Sequence, residues 1–147
     1  MKKDIIIEII SVLLIILFVY TAASKLFYYD DFYRSLLRAP LKPFTRVISL
    51  VVPTLELVTA LLLLFPRFRN WGLYGSFILM TVFTLYVGYI LSFAHHIPCT
   101  CGGIIQKMSW RQHLTFNSIF TLLSIIAIRL NNKRGEEIIA PYETELS

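Results

Sequence analysis

The sequence predicts an all-α membrane protein, an antiparallel four-helix transmembrane bundle. Three observations predict it. The 147 residues are 56% hydrophobic, where soluble domains hold about 45–50%, and the mean hydropathy is +0.68. Four apolar stretches, Ile5–Leu26, Val47–Phe65, Trp71–Ala94 and His113–Leu130, are each long enough to cross a hydrocarbon core, which takes roughly 20 residues. No period-two alternation competes with them. The length points to one domain.

Each element follows from its own residues. Ile5–Leu26 comes after Lys2-Lys3. Those lysines and Thr21-Ala22-Ala23 resemble the two ends of a signal peptide, but the apolar stretch is long for one, so it reads as a retained first helix. Phe27–Arg46 forms the first outer loop. Its Tyr28–Leu37 portion is amphipathic and suited to lie in the membrane interface. Pro40 and Pro43 break that portion before the second span, Val47–Phe65. Pro66–Asn70 is a tight inner turn, and short turns force antiparallel neighbours. The third span, Trp71–Ala94, runs into His95-His96-Ile97-Pro98-Cys99-Thr100-Cys101-Gly102-Gly103. The fourth, His113–Leu130, completes a transmembrane domain over residues 1–130. Residues 131–147 read as a polar, mobile cytoplasmic tail. Trp71, Tyr74, Trp110 and the Tyr28-Tyr29 pair fall near span ends, where aromatic belts belong.

Lys and Arg near the span ends set the orientation. With the N-terminus inside, the inner side carries Lys2, Lys3, Arg67, Arg69, Arg129, Lys133 and Arg134. The outer side carries Arg34, Arg38, Lys42, Arg46, Lys107 and Arg111, with Lys25 at the boundary. The inner charges crowd into shorter segments, so both ends of the chain are expected in the cytoplasm. The protein is then a multi-pass protein of the inner (cytoplasmic) membrane, with the cysteine loop outside the cytoplasm, where disulfides persist. The net charge of +5 is explained by this bias. It does not imply nucleic acid, because no basic stripe joins exposed aromatics.

Cys99 and Cys101 are the only cysteines. Separated by one residue, they can close a disulfide only in a small ring, and strain in such a bond raises its reduction potential. Pro98 fixes a backbone angle before the pair, and Gly102-Gly103 frees the chain after it. That suits a loop presenting sulfur to a partner. The plain alternative is two cysteines that stay unpaired. A metal alternative uses His95, His96, Cys99, Cys101 and His113 as ligands for zinc or copper, but no zinc-type spacing is present. A histidine could equally lower a thiol pKa without metal.

Two ionisable residues lie in the spans. Glu56 is near the middle of Val47–Phe65, about 14 Å from either end at the helical rise. A carboxylate there is costly and faces the bundle interior. Lys25 either snorkels to the headgroups or, if the first helix continues through Tyr29, reaches toward Glu56. If the helix stops at Leu26, a depth gap of roughly 12 Å prevents pairing. Small and polar residues also recur at helical spacing: Thr84, Gly88 and Ser92; Asn117, Thr121 and Ser124; Pro53, Glu56 and Ala60. Such stripes mark helix contacts, and would also serve to line a quinone cleft.

These residues resemble a known family. Thr21-Ala22-Ala23-Ser24-Lys25 is similar to the small-residue-then-Lys signature of DoxX-like membrane proteins. Val52-Pro53-Thr54-Leu55-Glu56-Leu57 is similar to their Pro-x-x-Glu second helix. Pro98-Cys99-Thr100-Cys101-Gly102 resembles the Pro-Cys-x-Cys-x-Gly element of the MauE branch. The resemblance runs from about Ile5 to Leu130. It implies a four-helix, redox-associated membrane protein, with Cys99, Cys101, Lys25 and Glu56 at the matching site positions. In that branch the second Cys tends to be followed by an aromatic residue and Gly, whereas this chain has Gly102-Gly103. The departure sets the methylamine role of the branch apart from this chain. A bundle with a Cys pair at its outer end also resembles quinone-linked disulfide-forming enzymes, which use C-x-x-C and a second Cys pair that this chain lacks.

The functional expectation is thiol–disulfide exchange with an extracytoplasmic thiol or disulfide protein, as an oxidoreductase component. The alternatives are a non-enzymatic assembly or maturation subunit and a metal-handling membrane protein. The sequence fixes no cofactor, though a quinone would suit the redox reading. It leaves the oligomeric state open.

Overall fold

The computed structural model of the protein describes residues 2–38, 42–93 and 109–146. Five helices follow one another: α1 (Lys2–Phe27), α2 (Tyr29–Arg38), α3 (Thr45–Leu64), α4 (Arg69–Phe93) and α5 (Trp110–Leu146), with a 3-10 turn at Lys42–Phe44 before α3. All but α2 are long and apolar enough to cross a membrane. α1 packs on α3, α3 on α4, α4 on α5, and α5 back on α1, so the four long helices close a ring. This is the all-α bundle that the apolar runs predict.

The distribution of side chains is that of a protein dissolved in lipid. Ile5, Ile9, Val12 and Ile16 of α1 and Leu50, Leu55 and Leu61 of α3 point outward and are exposed. Ser11, Ser49, Ser76 and Ser124 are buried. With no water in the bilayer core, those hydroxyls need partners inside the helix. Ser11 donates to the Ile7 carbonyl at 2.7 Å, Ser76 to Gly72 at 2.8 Å and Ser124 to Phe120 at 2.9 Å. Outward apolar faces and inward polar ones make this a multi-pass protein in a lipid bilayer.

The contacts follow the expected stripes in part. Thr84 and Thr121 meet across α4 and α5 at 3.3 Å. Pro53, Glu56 and Ala60 are all buried. Gly88, by contrast, faces open space. Among the described glycines the tightest position is Gly72, where a Cβ would come within 2.8 Å of the Leu63 amide nitrogen. Gly72 thus lets α4 fold back tightly onto α3.

Two regions depart from the sequence expectation. The polar segment after Leu130 is helical, and α5 continues unbroken to Leu146. Hydropathy ends where the apolar run ends, but Lys133, Arg134, Glu136, Glu137 and Ala140 are good helix formers. The extension is held laterally. Lys3 pairs with Glu137, and Arg134 with Asp4 at 3.2 Å. Asn131 donates to Asn70 at 3.1 Å and Asn132 to the Tyr74 hydroxyl at 3.3 Å. The second departure is α2. Its amphipathic pattern forms a helix as expected, but Phe32 and Leu36 are buried against the bundle. The Ser49 hydroxyl donates its proton to the Arg46 carbonyl at 2.9 Å, so the Tyr29 hydroxyl donates to Ser49 Oγ at 3.0 Å and fastens α2 to α3.

Candidate functional site

The helical pattern of α1 puts Ala22, Ser24 and Lys25 on its buried side. The backbone N–H of Tyr28 bonds to the Ser24 carbonyl at 3.0 Å, and that of Phe32 bonds to Tyr28 at 3.0 Å. Helical turns therefore carry past Leu26, and Lys25 is enclosed by α2 rather than left at a headgroup surface. Its Nζ donates to Glu56 Oε1 at 2.7 Å. The two side chains are 8% and 0% exposed. Of the two alternatives for Lys25, snorkelling and pairing, the structure shows pairing.

The surroundings of this ion pair are aromatic. Lys25 Nζ lies 5.9 Å from the Phe32 ring centre and 5.5 Å from that of Phe83. An ammonium beside ring faces keeps part of the stabilisation it loses with water. The carboxylate is less well provided for. Among the described residues, Glu56 Oε2 is buried and has no hydrogen-bond partner. Thr21, one turn before Lys25, faces the same carboxylate, while its hydroxyl bonds the Phe18 carbonyl at 3.3 Å.

Beside the pair is a cavity of about 280 Å³. Thr21, Lys25, Glu56, Tyr86, His113 and Asn117 bring polar groups to its wall. Phe18, Phe32, Leu36, Met80, Phe83 and Phe116 supply much of the rest. Each helix of the structure contributes. The α2 residues Phe32 and Leu36 had only an interfacial role in the sequence. Asn117 belonged to a packing stripe, and His113 to a metal set. The signal that joins them is spacing: Thr21 with Lys25, and His113 with Asn117, stand four apart and so share a helix face.

Cys99, Cys101, His95 and His96 lie outside the described residues. Among the described residues, no group of three or more His, Asp or Glu side chains is placed to hold a metal ion. On either side of the cysteine segment, α4 is described to Phe93, and α5 begins after Ser109 with a reciprocal cap. The Ser109 amide donates to Gln112 Oε1 at 3.0 Å, and the Gln112 amide donates to Ser109 Oγ at 3.3 Å. This Ser-x-x-Gln capping box is readable from sequence. Tyr86 and Val87 stand in the later half of α4, and His113, Phe116 and Asn117 in the first turns of α5. The cavity therefore adjoins the two helices that lead into and out of the cysteine segment.

Chemically, the site combines a fixed cation, a carboxylate oxygen open to a donor, and an apolar chamber. Its apolar walls exclude water from what enters.

A family model described as methylamine utilisation protein MauE matches residues 3–130. No curated protein and no solved structure matches the chain. The chain belongs to the MauE family.

Proposed function

We propose that this MauE-family protein is a membrane accessory component that exchanges disulfides with an extracytoplasmic partner through Cys99 and Cys101. The observation that carries the reading is the buried Lys25–Glu56 pair, set in a cavity bounded by the two helices that tether the cysteine segment. A charged pair inside a membrane bundle is costly and marks function by default. The family description, methylamine utilisation, supports an accessory role. Gly102-Gly103 departs from the aromatic-then-Gly pattern of that branch, so the pathway in the family description is not carried over to this chain.

In this reading the loop faces outward from the inner membrane, with the Lys3 and Glu137 end of the bundle in the cytoplasm. A thiolate of the partner attacks one sulfur of the Cys99–Cys101 disulfide. A mixed disulfide forms and the other cysteine leaves as a thiolate. A second partner thiolate then attacks the mixed disulfide, so the partner is oxidised and the pair is reduced. The direction reverses when the partner arrives as a disulfide. The residues best suited to exchange a proton inside the bundle are Lys25 and Glu56.

The test is trapping. Cys99→Ser and Cys101→Ser each leave one thiol. When the partner arrives as a disulfide, that thiolate attacks it and no second cysteine of this chain resolves the adduct. One variant should therefore accumulate a mixed disulfide with the oxidised partner, released by reductant and identified by mass spectrometry. If Cys101, which precedes Gly102-Gly103 in the sequence, is the sulfur that exchanges with the partner, trapping should be stronger in Cys99→Ser. If neither variant traps a partner and both support growth like the parent, the cysteines are structural and the protein is an assembly subunit.

A further inference from the structure

The cavity beside Lys25 and Glu56 has a polarity that narrows what it can hold. Its walls are largely apolar and partly aromatic, which excludes a hydrated ion. The Glu56 carboxylate disfavours an anionic head, and the Lys25 ammonium disfavours a cationic one. A bare acyl chain would leave Glu56 Oε2 without a partner, as it is now, and a buried acceptor left unmade is costly. The fitting group is neutral and offers a hydrogen to Oε2 while accepting one from Lys25 Nζ. A ring hydroxyl does both. The volume, about 280 Å³, is at the small end of ligand sites and suits one substituted ring without a long tail. Val82 of α4, on the cavity wall, is 54% exposed, so a tail has a way out toward lipid beside it.

We propose that this cavity binds a lipid-soluble hydroquinone and its quinone, with the hydroquinone bound more tightly. The hydroxyl donates to Glu56 Oε2 and accepts from Lys25, and the aromatic walls receive the ring. Binding stands on the cavity alone. Its use as an electron sink rests on the exchange reading: two cysteine thiols lose two electrons and two protons to become a disulfide, and the quinone gains both to become the hydroquinone.

The experiment uses the full chain in lipid nanodiscs, titrated with decylubiquinol under reducing anaerobic conditions, with decylubiquinone, and with 1-decanol, which has a hydroxyl and a tail but no ring for the aromatic walls to receive. Saturable rises in Tm report binding. The reduced form should bind about tenfold more tightly than the oxidised form, the worth of a hydrogen bond to a charged acceptor. 1-Decanol should produce no saturable shift. Glu56→Gln turns an amide donor toward the cavity, so it should invert the preference in favour of the quinone carbonyl while the chain stays folded. Val52→Phe, which fills the wall from α3, should abolish both shifts. A 1-decanol shift equal to that of the quinol, no saturable quinol shift, or an unchanged preference in Glu56→Gln would each overturn the proposal. Cys99→Ser and Cys101→Ser should bind the quinol as the parent does. Loss of binding with partner trapping intact sinks this inference alone, and failed trapping with binding intact sinks only the exchange reading.

Discussion

The two ends of the bundle use the same chemistry for opposite purposes. At one end, α1 and the extension of α5 meet through Lys3–Glu137 and Asp4–Arg134, with side chains about half exposed. At the other, α1 and α3 meet through Lys25–Glu56, with side chains almost wholly buried. Exposed pairs are screened, and holding their long side chains in place costs entropy, so they position helices without stabilising them much. A buried pair is different. Its formation barely repays the loss of hydration, yet breaking it leaves a bare charge in the bundle. The first kind of contact is replaceable. The second commits the structure to both residues, which is how a site is kept.

The largest effect should come from breaking the buried pair on one side. Glu56→Leu strands the Lys25 ammonium and should cost about 3–5 kcal/mol, read as a lower Tm of the detergent-purified chain. Glu56→Gln keeps a hydrogen-bonding group and should retain the fold. Lys25→Met combined with Glu56→Leu should recover much of the loss. Equal tolerance of Leu and Gln at position 56 would erase the distinction between the two ends.

A smaller effect is expected at Gly72, where α4 meets the backbone of α3. Gly72→Ala forces a carbon against the Leu63 backbone at 2.8 Å, and overpacking of this kind costs about 1–3 kcal/mol. Gly88→Ala, with nothing within 4 Å, is the control and should leave Tm unchanged. If Gly88→Ala is the more harmful, the approach at Gly72 is not what sets the α3–α4 turn.

Smaller again is the contact between Thr84 and Thr121, whose hydroxyls also bond the Met80 and Asn117 carbonyls. The coupling between Thr84→Val and Thr121→Val should be about 0.6 kcal/mol, the average for interhelical hydrogen bonds in membranes. A double-mutant cycle isolates the term, and a coupling several times larger would move the polar centre of the bundle away from Lys25.

The least effect should follow Glu137→Gln or Arg134→Gln. Neither should shift Tm measurably, with or without added salt, because the charges they release are met by water. A clear loss in either variant would show that the exposed end is structural after all.

How far the sequence reveals all this depends on which physical signal each feature leaves. The four long helices are visible because a span must be continuously apolar. Glu56 and Lys25 stand out because charges in spans are rare. The residues alone leave their pairing open, because depth depends on where the helices end, and the turn through Tyr28 moves that reference. The cavity left no local trace. It depends on α2 folding inward with Phe32 and Leu36, and an amphipathic pattern reads alike on a lipid surface and on a protein one. The length of α5 was hidden for another reason. Hydropathy marks where lipid ends and says nothing of where helical hydrogen bonding ends.

That length has a consequence of its own. Thirty-seven residues of helix extend about 55 Å at the standard rise, against a hydrocarbon core of about 30 Å. Nearly half of α5 must therefore stand clear of the hydrocarbon. The helix is a ruler laid across the membrane with its divisions known. Fluorophores placed at Ser109 and at Ile139 would report a span that the bilayer itself cannot stretch or compress. As lipids of different thickness are substituted, a constant separation between the dyes would assign any change in their distance from the headgroups to tilt of the whole bundle.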